Sequence, residues 1–553
     1  MCGIYGYIGR ENAYHKVKQG LHLLQYRGYD SCGIAYYHNG FEIEKTIGVL
    51  DNLHDITIET SLAFGHTRWA TNGEVSIRNT HPHTSQHGEF VLVHNGIITN
   101  ADSIKDRLLQ AGYQFYSDTD TEVIANLLES IDGTHIDKVK NLYRELEGSF
   151  SLIIGDRQGR IYLVKQFSPL HILRSDNAIY ISSDVSSIPN GDLYSLNDGD
   201  IVIIEDGLII GVDDWTPYVN ENDIIGSTNY PHHMLKEIND TPQAIYDTYT
   251  ELNSTNISDI FKRYTRLTML ACGTAYNSCL IGARLFNQYT DKVATSVLAS
   301  NYDINKVADD HLHVIVSQSG ETADCIKVAR KIKEIGGKIL VITNEDKSTI
   351  TQYADYKLYT RAKKELAVAS TKTYCCQLFS FAYIVNTISN RNAGFDINKF
   401  VRQVAEHISS INIVDYATTL KSSKHLILIG KGMDYLTMIE ASLKIREIDY
   451  VYTIPMFASE LKHGTLSLID ENTYILALSS TVDNDLSTTK NEIKSRHGKV
   501  LTFDQFTKDI DVDSTYLPIL TIIPFQLLSY EIAIIDGRNP DMPRNLAKSV
   551  TVE

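Results

Sequence analysis

Leu267-Thr-Met-Leu-Ala-Cys-Gly273 is an apolar run that stops on a glycine, and His425-Leu-Ile-Leu-Ile-Gly430 repeats the device later in the chain. Two more pairs follow in the same order. His313-Val-Ile-Val-Ser-Gln-Ser319 matches Thr473-Tyr-Ile-Leu-Ala-Leu-Ser-Ser480, and Gly337-Lys-Ile-Leu-Val-Ile-Thr343 matches Gly498-Lys-Val-Leu-Thr-Phe503. Aligned positions 271/429, 316/478 and 337/498 are offset by 158, 162 and 161 residues. Short apolar runs alternating with helical patterns predict parallel sheets flanked by helices. The near-constant offset predicts that this α/β domain occurs twice.

Upstream the rhythm differs. Alternating segments predict strands over 41–47, 90–94, 149–154, 161–164, 178–182 and 200–204, punctuated by turn dipeptides such as Asn39-Gly40 and Asp206-Gly207. Helical patterns cover 15–24, 104–111 and 121–128. This is the signature of an α+β domain with antiparallel sheets. The polar stretch 213–239 has little periodicity and reads as a linker, ending in a helix that begins near Thr241-Pro242.

Composition sets limits. With 553 residues, two to four domains are expected. A formal charge of −17 argues against a general nucleic-acid or anionic-membrane binder. The seven cysteines include no C-x-x-C pair, which reads as reduced thiols in a cytoplasmic protein with no metal site. The segment 516–535 has the length of a membrane span but contains Pro518, Pro524, Gln526 and Glu531, so a buried strand–turn–helix is expected.

The chain opens Met1-Cys-Gly-Ile-Tyr-Gly-Tyr-Ile-Gly9. Removal of Met1 would place a thiol beside its own free α-amine, which titrates at roughly 7.7–8.0, so one residue would be both nucleophile and base. His66-Thr-Arg68-Trp69 sets a guanidinium, which fits a carboxylate bidentately, beside an indole. Asn95 and Gly96 follow an apolar strand and could supply oxyanion donors from an amide and a backbone N–H. Asp120 precedes a helical pattern and offers a carboxylate for an ammonium, or simply a helix cap.

In the second part, Cys272-Gly-Thr-Ala-Tyr-Asn-Ser278 and Ser317-Gln-Ser-Gly-Glu-Thr322 follow apolar strands and open helices, where hydroxyls and N–H groups can hold a phosphate. Glu440, Lys444 and Glu447 share a helical face at i, i+4 and i+7. That spacing equally fits a solvated charge stripe.

Cys2-Gly-Ile, Gln25-Tyr-Arg-Gly-Tyr-Asp30, His66-Thr-Arg-Trp-Ala-Thr71, Thr80-His-Pro-His83, His94-Asn-Gly-Ile-Ile98 and Thr119-Asp-Thr-Glu122 together resemble the glutaminase domain of the glucosamine-6-phosphate synthase family. The Cys272, Ser317–Thr322 and Val368-Ala-Ser-Thr-Lys372 segments resemble that family's sugar isomerase (SIS) domains. Glu460-Leu-Lys-His463-Gly464 and the terminus 543–553 match it as well. The resemblance implies a fold of an α+β N-terminal-nucleophile glutaminase domain followed by two α/β SIS domains. The expected boundaries are 1–220, a linker 221–245, 246–400, 401–535 and a catalytic tail 536–553.

It also implies roles. Cys2 is the nucleophile, with Asn95 and Gly96 as oxyanion donors; Arg68, Trp69, His81 and Asp120 serve the glutamine, Trp69 as an ammonia-channel gate. Thr274, Ser317, Gln318, Ser319, Thr322, Val368 and Ser370 bind the sugar phosphate. Glu447 moves a proton between C1 and C2 with Lys444 positioning it, His463 of a neighbouring subunit opens the ring, and Lys548 forms a Schiff base. The implied reaction transfers ammonia from L-glutamine to D-fructose 6-phosphate and isomerises the product to D-glucosamine 6-phosphate. It needs no cofactor, nucleic acid or membrane, and a homodimer or higher homo-oligomer is expected. Asn72, Ala275, Ile454 and Thr465 depart from the family pattern. Two other readings stand beside this one: a different Cys2 amidotransferase, for which no pyrophosphate-ribose or ATP loop is found, and a sugar-phosphate-binding regulator built from duplicated SIS domains.

Overall fold

The computed structural model describes residues 2–70, 73–175, 177–220, 229–303, 308–421, 423–480, 484–507 and 511–548. Asn72, the linker positions 221–228 and the tail beyond Lys548 lie outside the described residues. Two compact units form, one within 1–226 and one within 227–548.

In the first unit the period-two segments build two antiparallel sheets. An eight-stranded sheet has Gly3–Gly9 between Ala178–Ser182 and Leu62–Arg68. A six-stranded sheet has Phe90–Ile98 paired with Gly148–Asp156. Inward side chains from both, among them Ile4, Phe64, Val93, Ile153 and Ile172, form one core between the sheets. The helix Ala13–Leu24 covers the outer face of the first sheet. Ala101–Gln110, Asp120–Ser130 and His135–Glu145 cover the second. The layers therefore run α–β–β–α. Register fixes the chemistry: Gly3 lies opposite Thr67, so Cys2 emerges beside Arg68 and Trp69.

The second unit holds two parallel sheets. The first has the order Val293–Leu298, Arg266–Ala271, His311–Ser317, Lys338–Thr343, Tyr356–Tyr359. The second has Tyr452–Phe457, His425–Gly430, Tyr474–Ala477, Lys499–Thr502. The three strand pairs read from the sequence occupy corresponding places. Each sheet adds an edge strand at one side, Val293–Leu298 and Tyr452–Phe457, and the first adds Tyr356–Tyr359 at its other side; no apolar run announces them. Edge strands bury only one side, and these are half exposed and mixed in composition.

Two expectations are corrected. Residues 517–535 form one continuous helix, Leu517–Ile535, in place of a strand–turn–helix. Pro518 sits in its first turn, where a missing N–H costs nothing, and Pro524 is taken up inside it. By length and composition this helix could cross a membrane, but 83% of its apolar window is buried in the protein. The second correction concerns the helix expected from about Thr241. It begins at His233 and runs to Ser254 with Pro242 inside. Its start has no local cap: the Asp541 carboxylate accepts the His233 and Met234 N–H groups at 2.8 and 2.7 Å. Met234 and Ile238 are fully buried.

Candidate active sites

In the first unit, the Trp69 backbone N–H donates to Cys2 Sγ at 3.3 Å, and Asn95 Nδ2 donates to the Cys2 carbonyl at 3.1 Å. Burial pushes the Cys2 thiol up, and the Trp69 N–H and the Arg68 charge offset this only in part. Gly96 follows Asn95 with φ +134°, and a Cβ there would lie 1.9 Å from the Ser149 carbonyl oxygen. Only glycine fits. Arg68 is 3% exposed and donates to the carbonyls of Gly73 and Glu74 at 3.3 and 3.4 Å. Asp120 opens the helix Asp120–Ser130 and accepts the Ile98 N–H at 3.0 Å.

Beneath these groups lies a layer of four buried histidines that sequence reasoning did not assemble. His66 stacks on His81 with ring centroids 4.0 Å apart, and His83 meets His81 edge-on at 5.0 Å. His81 Nδ1 accepts the His94 N–H at 3.4 Å, while its Nε2 lies 3.2 Å from Thr121 Oγ1. Both His81 nitrogens are therefore engaged within the protein. Burial holds all four imidazoles below their ordinary pKa and hence neutral at pH 7. The available signal was the Thr80-His-Pro-His83 motif, with His66 and His94 each inside an apolar strand.

In the second unit, Lys444 is fully buried on the helix Met433–Asp449, 2.7 Å from Glu447 and 3.3 Å from Glu440. Its Nζ donates to Thr274 Oγ1 at 2.9 Å; that hydroxyl donates to Glu440 at 3.1 Å, and the Asn277 amide donates to the other Glu440 oxygen at 2.7 Å. Burial works against the Lys444 ammonium, but Glu440 and Glu447 outweigh it and hold its pKa above the ordinary lysine value. Thr274, expected beside the phosphate, is thus committed to this cluster. Asn277, inside the quoted helix opening, was missed as a participant.

The turn after His311–Ser317 is held by its own hydroxyls. Ser317 Oγ lies 2.9 Å from Thr322 Oγ1 and accepts the Gly320 N–H at 3.0 Å; Ser319 Oγ accepts the Glu321 N–H at 3.1 Å. Gln318 fastens the turn through its carbonyl, which accepts the Asn344 N–H at 3.1 Å. Gly320 has φ +65° and packs on Ser348. Thr322 stands at the N-cap position of the helix Ala323–Glu334, its hydroxyl turned to Ser317 and not to the helix.

Lys548 forms an ion pair with Glu365, and both side chains are almost wholly buried. Glu365 also accepts Ser370 Oγ at 2.8 Å and the N–H groups of Thr371 and Thr373 at 3.0 and 3.1 Å. Burial alone would raise its pKa; Lys548 and these donors reverse that and hold it at about 2. Val368 N–H donates to the Asp541 carbonyl at 3.0 Å, which ties this loop to the C-terminal segment. Glu365 was missed because one acidic residue after Lys363-Lys364 carries no pattern. His463 is exposed on the turn Ala458–His463, and its side chain forms no hydrogen bond or ion pair among the described residues.

Comparison with known proteins agrees with both halves. The SIS domain family matches residues 260–386 and 419–534, and a glutamine amidotransferase domain family matches residues 66–190. The chain is similar to the glutamine–fructose-6-phosphate aminotransferase (isomerizing) of Caldanaerobacter subterraneus, 35% identical over 609 residues and covering all of both chains. The protein of the same name from Pyrococcus horikoshii is 35% identical over 608 residues, again covering both chains fully. Among solved structures, the C-terminal domain of glucosamine-fructose-6-phosphate aminotransferase from Francisella tularensis matches at 29% identity and a TM-score of 0.50. It covers 57% of this chain and 100% of its own.

Proposed function

This chain belongs to the glutamine–fructose-6-phosphate aminotransferase (isomerizing) family, and on that premise we propose that its two units split one synthesis. The first hydrolyses L-glutamine to glutamate and ammonia. The second adds the ammonia to D-fructose 6-phosphate and isomerises the product to D-glucosamine 6-phosphate.

Glutamine is held by Arg68 at its α-carboxylate and by Asp120 at its α-ammonium. Once Met1 is removed, the Cys2 α-amine takes the thiol proton and the thiolate attacks the amide carbon. Negative charge grows on the amide oxygen, where Asn95 Nδ2 and the Gly96 N–H stabilise it. The amine proton leaves with ammonia, and water then hydrolyses the thioester to glutamate. The Asn95 amide, already donating at 3.1 Å beside Cys2, supports this assignment.

At the sugar site the Ser317–Thr322 turn takes the phosphate. Lys548, its ammonium proton lost to solvent, condenses with C2 of the open-chain ketose with loss of water; ammonia displaces the lysine, and Glu447 carries a proton from C1 to C2. Of the two carboxylates on Lys444, Glu440 is fully buried and spent on Thr274 and Asn277, whereas the Glu447 side chain is 21% exposed. That difference carries the choice of Glu447 as the base. The exposure of His463 supports a role in opening the sugar ring of a neighbouring copy, hence a homo-oligomer. Seven unpaired thiols favour a cytoplasmic setting.

The deciding experiment follows glutamate release and glucosamine 6-phosphate formation from glutamine, with and without fructose 6-phosphate. Glutamate release without any amino sugar in the presence of fructose 6-phosphate would reject the proposal.

A further inference from the structure

Glu237 is a carboxyl group for which the reaction as outlined has no use. It lies on the helix His233–Ser254 and is 3% exposed. Its Oε1 accepts the N–H groups of Leu366 and, at 3.3 Å, Ala367, the two residues that follow Glu365. Its Oε2 is buried and has no hydrogen-bond partner among the described residues. The helix thus grips the loop immediately after the residue that holds Lys548.

Charge around this group is unevenly shared. Glu365 is saturated, with Ser370, Thr371, Thr373 and Lys548 all donating to it. Lys372, the next cation, is turned to the Lys364 carbonyl at 2.9 Å and lies 3.8 Å from Asp240. Asp541 caps the start of the same helix. The other elements packed on this helix turn Lys357, Lys399, Arg402 and Glu406 to solvent. Glu531 is half-buried, and His407 is tied to the Leu520 carbonyl at 2.9 Å. Among the described residues no lysine or arginine forms an ion pair with Glu237. An ionised Glu237 would be an uncompensated buried charge with one oxygen unsolvated.

We propose that Glu237 is a positioning residue of the sugar site that works as a neutral carboxylic acid, holding the Glu365 loop against Lys548 without adding a second negative charge. The proposal rests on the reading of Lys548 as the residue that condenses with the ketose. Burial first, and then repulsion from Glu365, push the Glu237 pKa up to about 8. Above that value the proton leaves, and the new charge repels Glu365 across the loop, so the loop loosens and Lys548 is no longer held in place.

The test uses the full chain and fructose 6-phosphate alone, so that the glutaminase half does not enter. Isomerisation to glucose 6-phosphate is followed from pH 7 to 10, and borohydride trapping of the sugar on Lys548 is read in the same samples. In the parent the rate should fall at least tenfold between pH 7 and 10 as Glu237 ionises, levelling at the rate of the ionised form. Glu237→Gln keeps the Oε1 acceptor and is neutral at every pH. It should match the parent within about threefold at pH 7 and lose the alkaline decline. A parent-like decline in the variant, or an inactive variant at pH 7 that still traps sugar, overturns the role of Glu237 alone. Absence of an adduct on the parent overturns the Lys548 reading, and this inference with it.

Discussion

The Thr274 hydroxyl accepts a 2.9 Å hydrogen bond from Lys444 across 170 residues of sequence. One repeat thereby completes the carboxylate–lysine cluster of the other, and Glu447 is held by Lys444 at the exposed end of that cluster.

Glu447→Gln should bind fructose 6-phosphate normally, since the Ser317–Thr322 turn is untouched, but lose isomerisation by about 10²–10⁴-fold. Lys548→Arg should lose the borohydride adduct, because guanidinium stays protonated. Turnover at the parent rate in both variants would contradict the assigned chemistry; binding by calorimetry and adduct mass spectrometry read the two effects separately.

Cys2→Ala should abolish glutamine hydrolysis and leave fructose 6-phosphate isomerisation intact. Protein that retains Met1 should behave the same way, its α-amine being locked in a peptide bond. Intact-mass measurement alongside the glutaminase assay decides it.

For Arg68→Lys, the KM for glutamine should rise by at least tenfold. A point-charge ammonium cannot reproduce two parallel bonds to a carboxylate, and each charge-assisted bond is worth about 1.5–3 kcal/mol. An unchanged KM removes Arg68 from the substrate.

Gly96→Ala places a methyl 1.9 Å from the Ser149 carbonyl at a φ of +134°. The strand must shift, so glutaminase kcat should drop at least 10²-fold, the scale of losing one oxyanion donor. A parent-like kcat would show that Gly96 is not at the oxyanion.

Glu365 supplies a pH-dependent stability. Its pKa is held at about 2 against an ordinary 4.5, so it stabilises the fold above pH 4.5 by about 3 kcal/mol, and this is lost as pH falls through 2. Glu365→Gln should therefore unfold at lower urea than the parent at pH 7, with the gap narrowing toward pH 3. A gap independent of pH would argue against the ionised form.

The repeat of apolar strands and the N-terminal motif were legible because both are local patterns: short apolar runs at a near-constant offset, and contiguous motifs such as Cys2-Gly-Ile. What was not legible is paired over long distances. The Asp541 cap on His233 and the Glu365–Lys548 ion pair join segments 308 and 183 residues apart, so neither partner signals the other. His81 carried a motif, but only the stacked ring of His66 and the Thr121 hydroxyl show that it is engaged within the protein.

The Leu517–Ile535 helix also bears on how the chain is made. Ile519, Leu520, Ile522, Ile523, Phe525 and Leu528 are all fully buried in the core of the second unit. Every other strand and helix of that unit leaves the ribosome first. The helices Met433–Asp449 and Val414–Leu420, which pack on it, therefore wait with open apolar faces until this helix arrives, while the first unit can already have closed. Chains interrupted before residue 517 should release a working glutaminase attached to an aggregation-prone remnant.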